Sequence, residues 1–388
     1  MIASSDIKQC DAEQSLVEQV VAAREARTPL LIRGGGSKDF YGNPARSDLT
    51  LACTGHRGVI AYEPTELAMT VRAGTPLAEV EALLDANGQQ FPFEPPHFGA
   101  NATIGGMVAA GLSGPRRPYA ASVRDAVLGV RMLNGQGQVL DFGGRVMKNV
   151  AGYDLSRLMV GSLGMLGVLL EVSLKVTPTP VGRMTLVHEQ TLEGALALMR
   201  RWARRSLPIT ATAWADGRLY VRICGSEEGL AETHRVVEGL PLTDADQFWD
   251  DLREQRLAFF AGDAPLWRLS IPPATPPEAF ASLQASEQSG ERSGLQSGIQ
   301  PGEPSGQQLV EWSGALRWLR GDLDVAAVRA RAKAAGGHAT LFRGSGGDRP
   351  ADGVFTPLDP VLMRLHRNLK QSFDPAGLFN PGRLSPEL

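Results

Sequence analysis

Glycine placement limits what this chain can fold into more than any other feature. Of 388 residues, 44 are glycine, about 11% where about 7% is usual. That is too few for a fibrous repeat and too many for a plain helical bundle. Before residue 180 the glycines gather at the ends of apolar runs. Arg33-Gly34-Gly35-Gly36-Ser37 follows Pro29-Leu30-Leu31-Ile32, Gly105-Gly106 opens a run of small residues, and Gly161, Gly164 and Gly167 lead into an apolar stretch that starts at Val168. Glycine is favoured where the backbone turns through positive φ or must approach another group with no side chain between. These runs therefore mark loops that line something.

Composition removes several classes. The length fits two domains at roughly 150 residues each. A net charge of −3 lacks the basic footprint of a nucleic-acid binder. Cys10, Cys53 and Cys224 are far apart with no CxxC, so neither a disulfide framework nor a zinc or iron–sulfur cluster can be drawn from them, and a reducing compartment is expected. The start Met1-Ile2-Ala3-Ser4-Ser5-Asp6 has no basic region and no apolar stretch of a secretory leader. The longest uncharged apolar run, 158–170, is shorter than the ~20 residues of a spanning helix. A cytoplasmic chain is expected, with peripheral docking on a membrane complex left open.

Strand and helix alternate through the first part. Asp11 with Gln14 starts a helix whose apolar face is Leu16, Val17, Val20 and Val21. A strand at 29–32 runs into the first glycine loop. A second at 68–73 precedes Thr75-Pro76, which read as cap and first turn of a helix stopped by Gly88. Strand-like runs follow at 127–133, 139–142 and 168–176, and Thr177-Pro178-Thr179-Pro180 marks a domain boundary. Beyond it, a helix at 192–202, strands at 218–224 and 267–271, an ordered run at 309–318 and a helix at 325–335 give a mixed α+β pattern. Between them, 284–308 is reduced to Ser, Gly, Gln, Glu and Pro, with too few apolar groups to offset its ordering entropy, so a disordered insertion is expected.

Three constellations carry chemistry. Gly34, Gly35 and Gly36 allow consecutive N–H groups to face one side as an anion-binding nest, and Ser37 adds a hydroxyl donor; a plain glycine turn is the competing reading. No GxGxxG opens a helix here and no Walker A motif is present. Thr103-Ile104-Gly105-Gly106 reads either as a helix N-terminus offering orphan N–H groups to a ligand or as a site of close helix packing. Upstream, Glu94-Pro95-Pro96-His97-Phe98-Gly99 is a stiff wall suited to a flat ring. Lys148-Asn149-Val150-Ala151-Gly152-Tyr153-Asp154, then Gly161-Ser162-Leu163-Gly164, feed the apolar strand at Val168, whose edge suits an adenine. Together they imply a large nucleotide cofactor. The six histidines show no metal spacing, and His97 alone stands where it could approach a cofactor.

These motifs resemble those of the FAD-binding oxidoreductases of the vanillyl-alcohol oxidase (PCMH) type and, within them, the FAD-binding subunits of bacterial glycolate oxidases. The resemblance is carried by Leu31–Ser37 as written above, Phe93-Glu94-Pro95-Pro96-His97-Phe98-Gly99 with Thr103-Ile104-Gly105-Gly106, Gly111-Leu112-Ser113-Gly114-Pro115, the run from Arg145 to Asp154, Gly161-Ser162-Leu163-Gly164, and Phe373-Asp374-Pro375 with Phe379-Asn380-Pro381-Gly382. It implies an α+β architecture: a PCMH-type FAD-binding domain of two α/β subdomains over 1–180, a smaller α+β cap-like domain over 181–354, and a segment 355–388 returning to the first. It implies FAD with its pyrophosphate on Arg33, Gly34, Gly35, Gly36 and Ser37, further contacts from Pro96, Thr103, Gly105 and Gly106, and the adenosine side near Val168. Ser37 and Lys38 stand where covalently attached members carry a histidine, so non-covalent FAD is expected. The implied activity is oxidation of a small 2-hydroxy acid, glycolate, to glyoxylate, with a D-type flavoprotein subunit and an F-type iron–sulfur subunit as partners. The D-type subunits carry a glutamate where this chain has Leu163, and a histidine-containing C-terminal motif where this chain reads Gly336-Gly337-His338-Ala339-Thr340. No catalytic residue and no metal site is assigned. A self-sufficient FAD-linked 2-hydroxy-acid dehydrogenase and a non-catalytic structural subunit remain as alternatives.

Overall fold

The structure is a computed structural model that describes residues 6–47, 49–144, 154–280, 283, 307–344 and 349–388. The 148–153 part of the third constellation, the 145–153 part of the run that carries the resemblance and the 284–306 part of the expected insertion lie outside the described residues. The chain divides into two compact units, Met1–Thr179 with Pro357–Leu388, and Pro180–Thr356.

The first unit opens with α1 (Glu13–Ala26), β1 (Leu30–Arg33), β2 (Leu49–Ala52), β3 (Val59–Glu63), β4 (Ala68–Arg72), α2 (Leu77–Ala86), β5 (Gln89–Gln90) and α3 (Ile104–Ala110). It continues through α4 (Val123–Ala126), β6 (Val127–Leu133), β7 (Val139–Gly143), α5 (Leu155–Leu158), β8 (Val168–Lys175) and β9 (Thr177–Pro178). β1 and β2 form a two-stranded parallel pair. A five-stranded antiparallel sheet runs β3-β4-β8-β6-β7. Its core-facing residues Val71, Val130 and Val172 pack in one cluster with Leu77, Val80, Leu83 and Leu84 of α2 and Ile104, Met107 and Val108 of α3. The α2 spacing is the apolar stripe of a helix with one buried side.

Thr75 does not cap α2. Pro76 occupies the cap position with no side-chain bond, and the Thr75 hydroxyl instead accepts the Gly58 N–H at 2.8 Å and donates to the Arg72 carbonyl at 2.7 Å. The α1 start also shifts: Ala12 is the cap, and Asp11 takes the Glu13 N–H at 3.0 Å.

The second unit contains β10 (Gly182–Glu189), α6 (Leu192–Trp202), β11 (Ile209–Ala215), β12 (Arg218–Gly225), α7 (Glu227–Val237), β13 (Leu240–Pro241), α8 (Ala245–Arg253), β14 (Leu266–Ser270), β15 (Gln307–Glu311), β16 (Leu316–Arg320), α9 (Val325–Ala334) and β17 (His338–Arg343). Its eight strands form one antiparallel sheet in the order β13-β10-β12-β11-β15-β16-β14-β17. The ordered run expected at 309–318 is two strands, and it begins at Gln307 because β15 pairs Gln307 and Gln308 with Arg320 and Leu319 of β16. Pairing supplies there what the polar composition does not. No helix among the described residues is long and apolar enough to cross a membrane.

The chain then returns to the first unit as α10 (Pro360–Phe373). Lys370 on this helix is buried, and its ammonium donates to the Met165 carbonyl at 2.8 Å, the Phe379 carbonyl at 2.7 Å and the Asp374 carboxylate at 2.7 Å. Asp374 also accepts the N–H groups of Leu378 at 3.0 Å and Phe379 at 2.8 Å. Burial pulls the Lys370 ammonium below its usual pKa, and the Asp374 charge opposes that shift. Removing one partner of a buried ion pair costs about 3–5 kcal/mol because the other charge stays uncompensated. Asp374→Ala is accordingly expected to lower the unfolding free energy by about that amount in urea denaturation.

Burial also holds the imidazoles of His56 and His188 below their ordinary value of 6.5. His56 is 1% exposed, and its Nδ1 accepts the Ala12 N–H at 3.1 Å, which requires that nitrogen to be unprotonated. With the folded pKa lowered, the unfolded chain binds more protons as acid is added. Stability is then complete above the ordinary histidine value and is lost as pH falls through it. The thermal midpoint should be lower at about pH 5.5 than at about pH 7.5, and His56→Gln should make that difference smaller.

Candidate functional site

β1 delivers the chain into the glycine loop at the mouth of a cleft of about 890 Å³, its open mouth included. Among the described residues, none of the N–H groups of Gly34, Gly35, Gly36 and Ser37 is taken by another protein group. Four successive donors therefore face outward from the protein's own bonding. The glycines are required first by the protein itself. A Cβ on Gly35 would land inside the Asn101 carbonyl, and one on Gly34 would collide with the Thr103 hydroxyl. Gly36 has φ +75° and would press a side chain into the Arg33 guanidinium. That guanidinium is itself clipped to Asp39 at 2.6 Å, half-exposed on both sides.

α3 forms the facing wall, and of the two readings of its start the close-packing one holds. Its first N–H groups are not orphans: Ile104 donates to the Thr75 carbonyl at 3.0 Å, Gly105 to the Ala73 carbonyl at 2.7 Å, and Gly106 to the Thr103 hydroxyl at 3.2 Å. Close packing explains the glycine pair, since a Cβ on Gly105 would sit 2.7 Å from that of Ala73. The donors for an anion come from the loop, and α3 contributes a smooth surface with no side-chain bulk.

Eight of the ten sequence-derived candidates, Arg33, Gly34, Gly35, Gly36, Ser37, Thr103, Gly105 and Gly106, line this one cleft. Pro96 and Val168 are not among its lining residues. Val168 is fully buried with Leu30 and Phe379 beneath the loop. Pro96 is buried in the turn before His97, whose carbonyl accepts the Lys38 ammonium at 3.0 Å. The His97 ring does not line the cleft; it pairs with Glu81 on α2 at 2.7 Å.

Sequence spacing missed Cys53, Asn380 and Arg383, all of which line the cleft. Asn380 belongs to a tail motif that carried the family likeness, but nothing local assigned its side chain a task. Arg383 reaches the carbonyls of Asn43 at 3.1 Å and Asp39 at 2.9 Å, so the tail braces the segment that follows the loop. Burial pushes the Cys53 thiol up to about 12, which keeps it protonated and poorly nucleophilic.

Over 382 residues, 98% of this chain and 100% of the other, the sequence is 45% identical to the glycolate oxidase subunit GlcE of Escherichia coli (strain K12). The chain belongs to this family. Residues 7–143 match the FAD binding domain family. A 30% identity over 188 residues, 45% of this chain and 40% of the other, relates it to the glycolate oxidase subunit GlcD of Bacillus subtilis (strain 168). The solved structure of an alkyldihydroxyacetonephosphate synthase has a TM-score of 0.63 over 95% of this chain and 74% of that one at 14% identity, a likeness of fold. The expected α+β architecture with a PCMH-type FAD-binding domain and the FAD-dependent oxidoreductase class both hold.

The cleft fits the family's cofactor. It offers unengaged N–H groups for phosphates, a floor cleared by glycine, and apolar walls from Leu31, Ile32, Ala109, Ala110 and Leu169. Because a Cβ on Gly35 would meet the Asn101 carbonyl, Gly35→Ala should destabilise the chain by about 1–3 kcal/mol with no FAD added. Ser37→Ala should leave stability within about 0.5 kcal/mol. Thermal unfolding of the FAD-free proteins separates these two effects.

Proposed function

We propose that this chain is the FAD-binding subunit of a glycolate oxidase complex, supporting the oxidation of glycolate, a small 2-hydroxy acid, to glyoxylate. In this reading 1–180 and 355–388 hold the cofactor, and 181–354 form the cap-like part. The observation that carries it is the glycine loop: four successive N–H groups without protein acceptors among the described residues, at the mouth of an apolar cleft.

The N–H groups of Gly34, Gly35, Gly36 and Ser37 hold the pyrophosphate, with the Ser37 hydroxyl as a further donor. Lys38 contributes positive charge beside them, since its ammonium lies 3.3 Å from Ser37 Oγ. Arg33 acts through Asp39 to fix the loop's exit. Thr103, Gly105 and Gly106 present the smooth wall for the ribityl and flavin side. Val168 supports the floor from below toward the adenosine end, and Pro96 acts through the turn that gives Lys38 its carbonyl partner. The apolar walls exclude water. When bound, FAD supplies the two-electron chemistry. Attachment is non-covalent, with Ser37 and Lys38 beside the loop and Cys53 held as a thiol.

Among the described residues no histidine lines the cleft, and the charged groups lining it are Arg33, Lys38, Asp39 and Arg383. This favours a subunit that exchanges electrons with a D-type flavoprotein and an F-type iron–sulfur partner over a self-sufficient dehydrogenase. The segment shared with a GlcD protein supports the D-type partner. Any association with a membrane is peripheral and runs through the complex.

The purified chain should show a flavin absorption spectrum, and acid precipitation should release the flavin to the supernatant. Anaerobic glycolate should leave that spectrum unchanged until the partner subunits are added. A colourless chain overturns the cofactor assignment, flavin kept in the pellet overturns non-covalent attachment, and bleaching by the chain alone overturns the subunit reading.

A further inference from the structure

Asn380 lies in the C-terminal tail, 4% exposed, with a backbone φ of +42°. β2 pairs with one side of β1, and the tail runs along the other. Leu30 donates to the Leu378 carbonyl at 2.7 Å, and the Asn380 N–H donates to the Leu30 carbonyl at 3.0 Å. At the next position along β1 the Asn380 side chain replaces a backbone partner, its Oδ1 accepting the Ile32 N–H at 2.7 Å. Its Nδ2 donates in the opposite direction, to the Leu163 carbonyl at 2.7 Å.

Leu163 is itself unusual. It has φ +51°, the left-handed region that a branched side chain avoids, and its N–H donates to the Ala109 carbonyl of α3 at 3.0 Å. Held from α3 on one side and by Asn380 on the other, it stays in a conformation that it would leave if either bond were lost. Gly164 follows with φ +74°, and a Cβ there would lie 2.6 Å from Asn380 Nδ2, so the amide is closely enclosed. Ile32, Leu163 and Asn380 all line the cleft. One planar amide, with an acceptor and a donor on the same group, thus spans the strand that carries the glycine loop and the turn on the opposite wall.

We propose that Asn380 is a positioning residue for bound FAD: through the Ile32 and Leu163 backbones it sets the separation between the glycine loop and the Leu163 turn. This rests on the FAD assignment above. A carboxylic acid has the same shape and, when protonated, the same acceptor and donor. A carboxylate keeps the acceptor for Ile32 but faces the Leu163 carbonyl with no hydrogen to give.

The test uses the full chain, stripped of flavin and titrated with FAD, reading the dissociation constant and the visible circular dichroism of the bound flavin. At about pH 7.5, Asn380→Asp and Asn380→Leu should each weaken FAD by at least about tenfold, roughly the worth of one charge-free hydrogen bond in a closed site. At about pH 5.5, Asn380→Asp should recover most of that loss relative to the wild-type chain at the same pH, because a buried carboxyl is readily protonated, while Asn380→Leu should not. A loss that came only from altered packing at position 380, and not from the missing donor, would not be recovered by acid in Asn380→Asp. Should Asn380→Leu fail to fold, the rescue of Asn380→Asp carries the test. Wild-type affinity in the folded variants, or no recovery of Asn380→Asp on acidification, overturns the proposal while leaving the cofactor assignment standing. A wild-type chain with no affinity for FAD overturns that assignment and this proposal together.

Discussion

The first unit depends on a buried ammonium. Lys370 satisfies three acceptors on three stretches of chain: the Met165 carbonyl before β8, the Asp374 carboxylate one helical turn away and the Phe379 carbonyl in the tail. Such a group is a poor source of net stability, since desolvation offsets most of its Coulomb gain. Its value here is geometric. With every donor of the ammonium engaged, the end of α10, the turn before β8 and the tail have one mutual arrangement, and that arrangement lays residues 378–380 against β1.

From that anchor the cleft follows. The tail gives β1 a second edge partner, and β1 in turn presents the glycine loop. The same tail continues to Arg383, which grips the segment after the loop. Both sides of the loop are therefore held by residues more than three hundred positions away in sequence. A loop with four unengaged N–H groups would otherwise pay for its openness in disorder; bracing from the tail keeps those donors in place before any ligand arrives, which is the condition for tight anion binding.

The glycines serve two purposes that look alike in sequence. Gly34, Gly35 and Gly105 are needed because protein backbone or side chain lies where a Cβ would be. The loop's N–H groups, by contrast, are open because no acceptor among the described residues reaches them. The Gly105-Gly106 pair belongs to the first kind alone, its donors already spent on Ala73 and Thr103. A helix N-terminus and a loop nest are equally plausible anion sites from residue type, and hydrogen-bond accounting separates them.

The sequence by itself determined much of this protein. The strand before the glycine loop, the apolar stripe of α2, the long strand at Val168 and the tail motif are local patterns of period and φ, and local patterns survive in sequence. The class of cofactor followed from the same loops, and eight of the proposed contacts lie in one cleft. What spacing left undetermined was the partner of each polar group. Thr75 has the look of a cap but bonds Gly58 and Arg72, and Gln307 has the look of a disordered tract but joins a strand. Asn380 carried a family motif with no visible task until Leu163, 217 positions earlier, was brought to its amide. Local energetics fix which conformations a segment favours, whereas donors and acceptors so far apart are matched only when the packed fold makes them neighbours, and that matching decided the shape of the site.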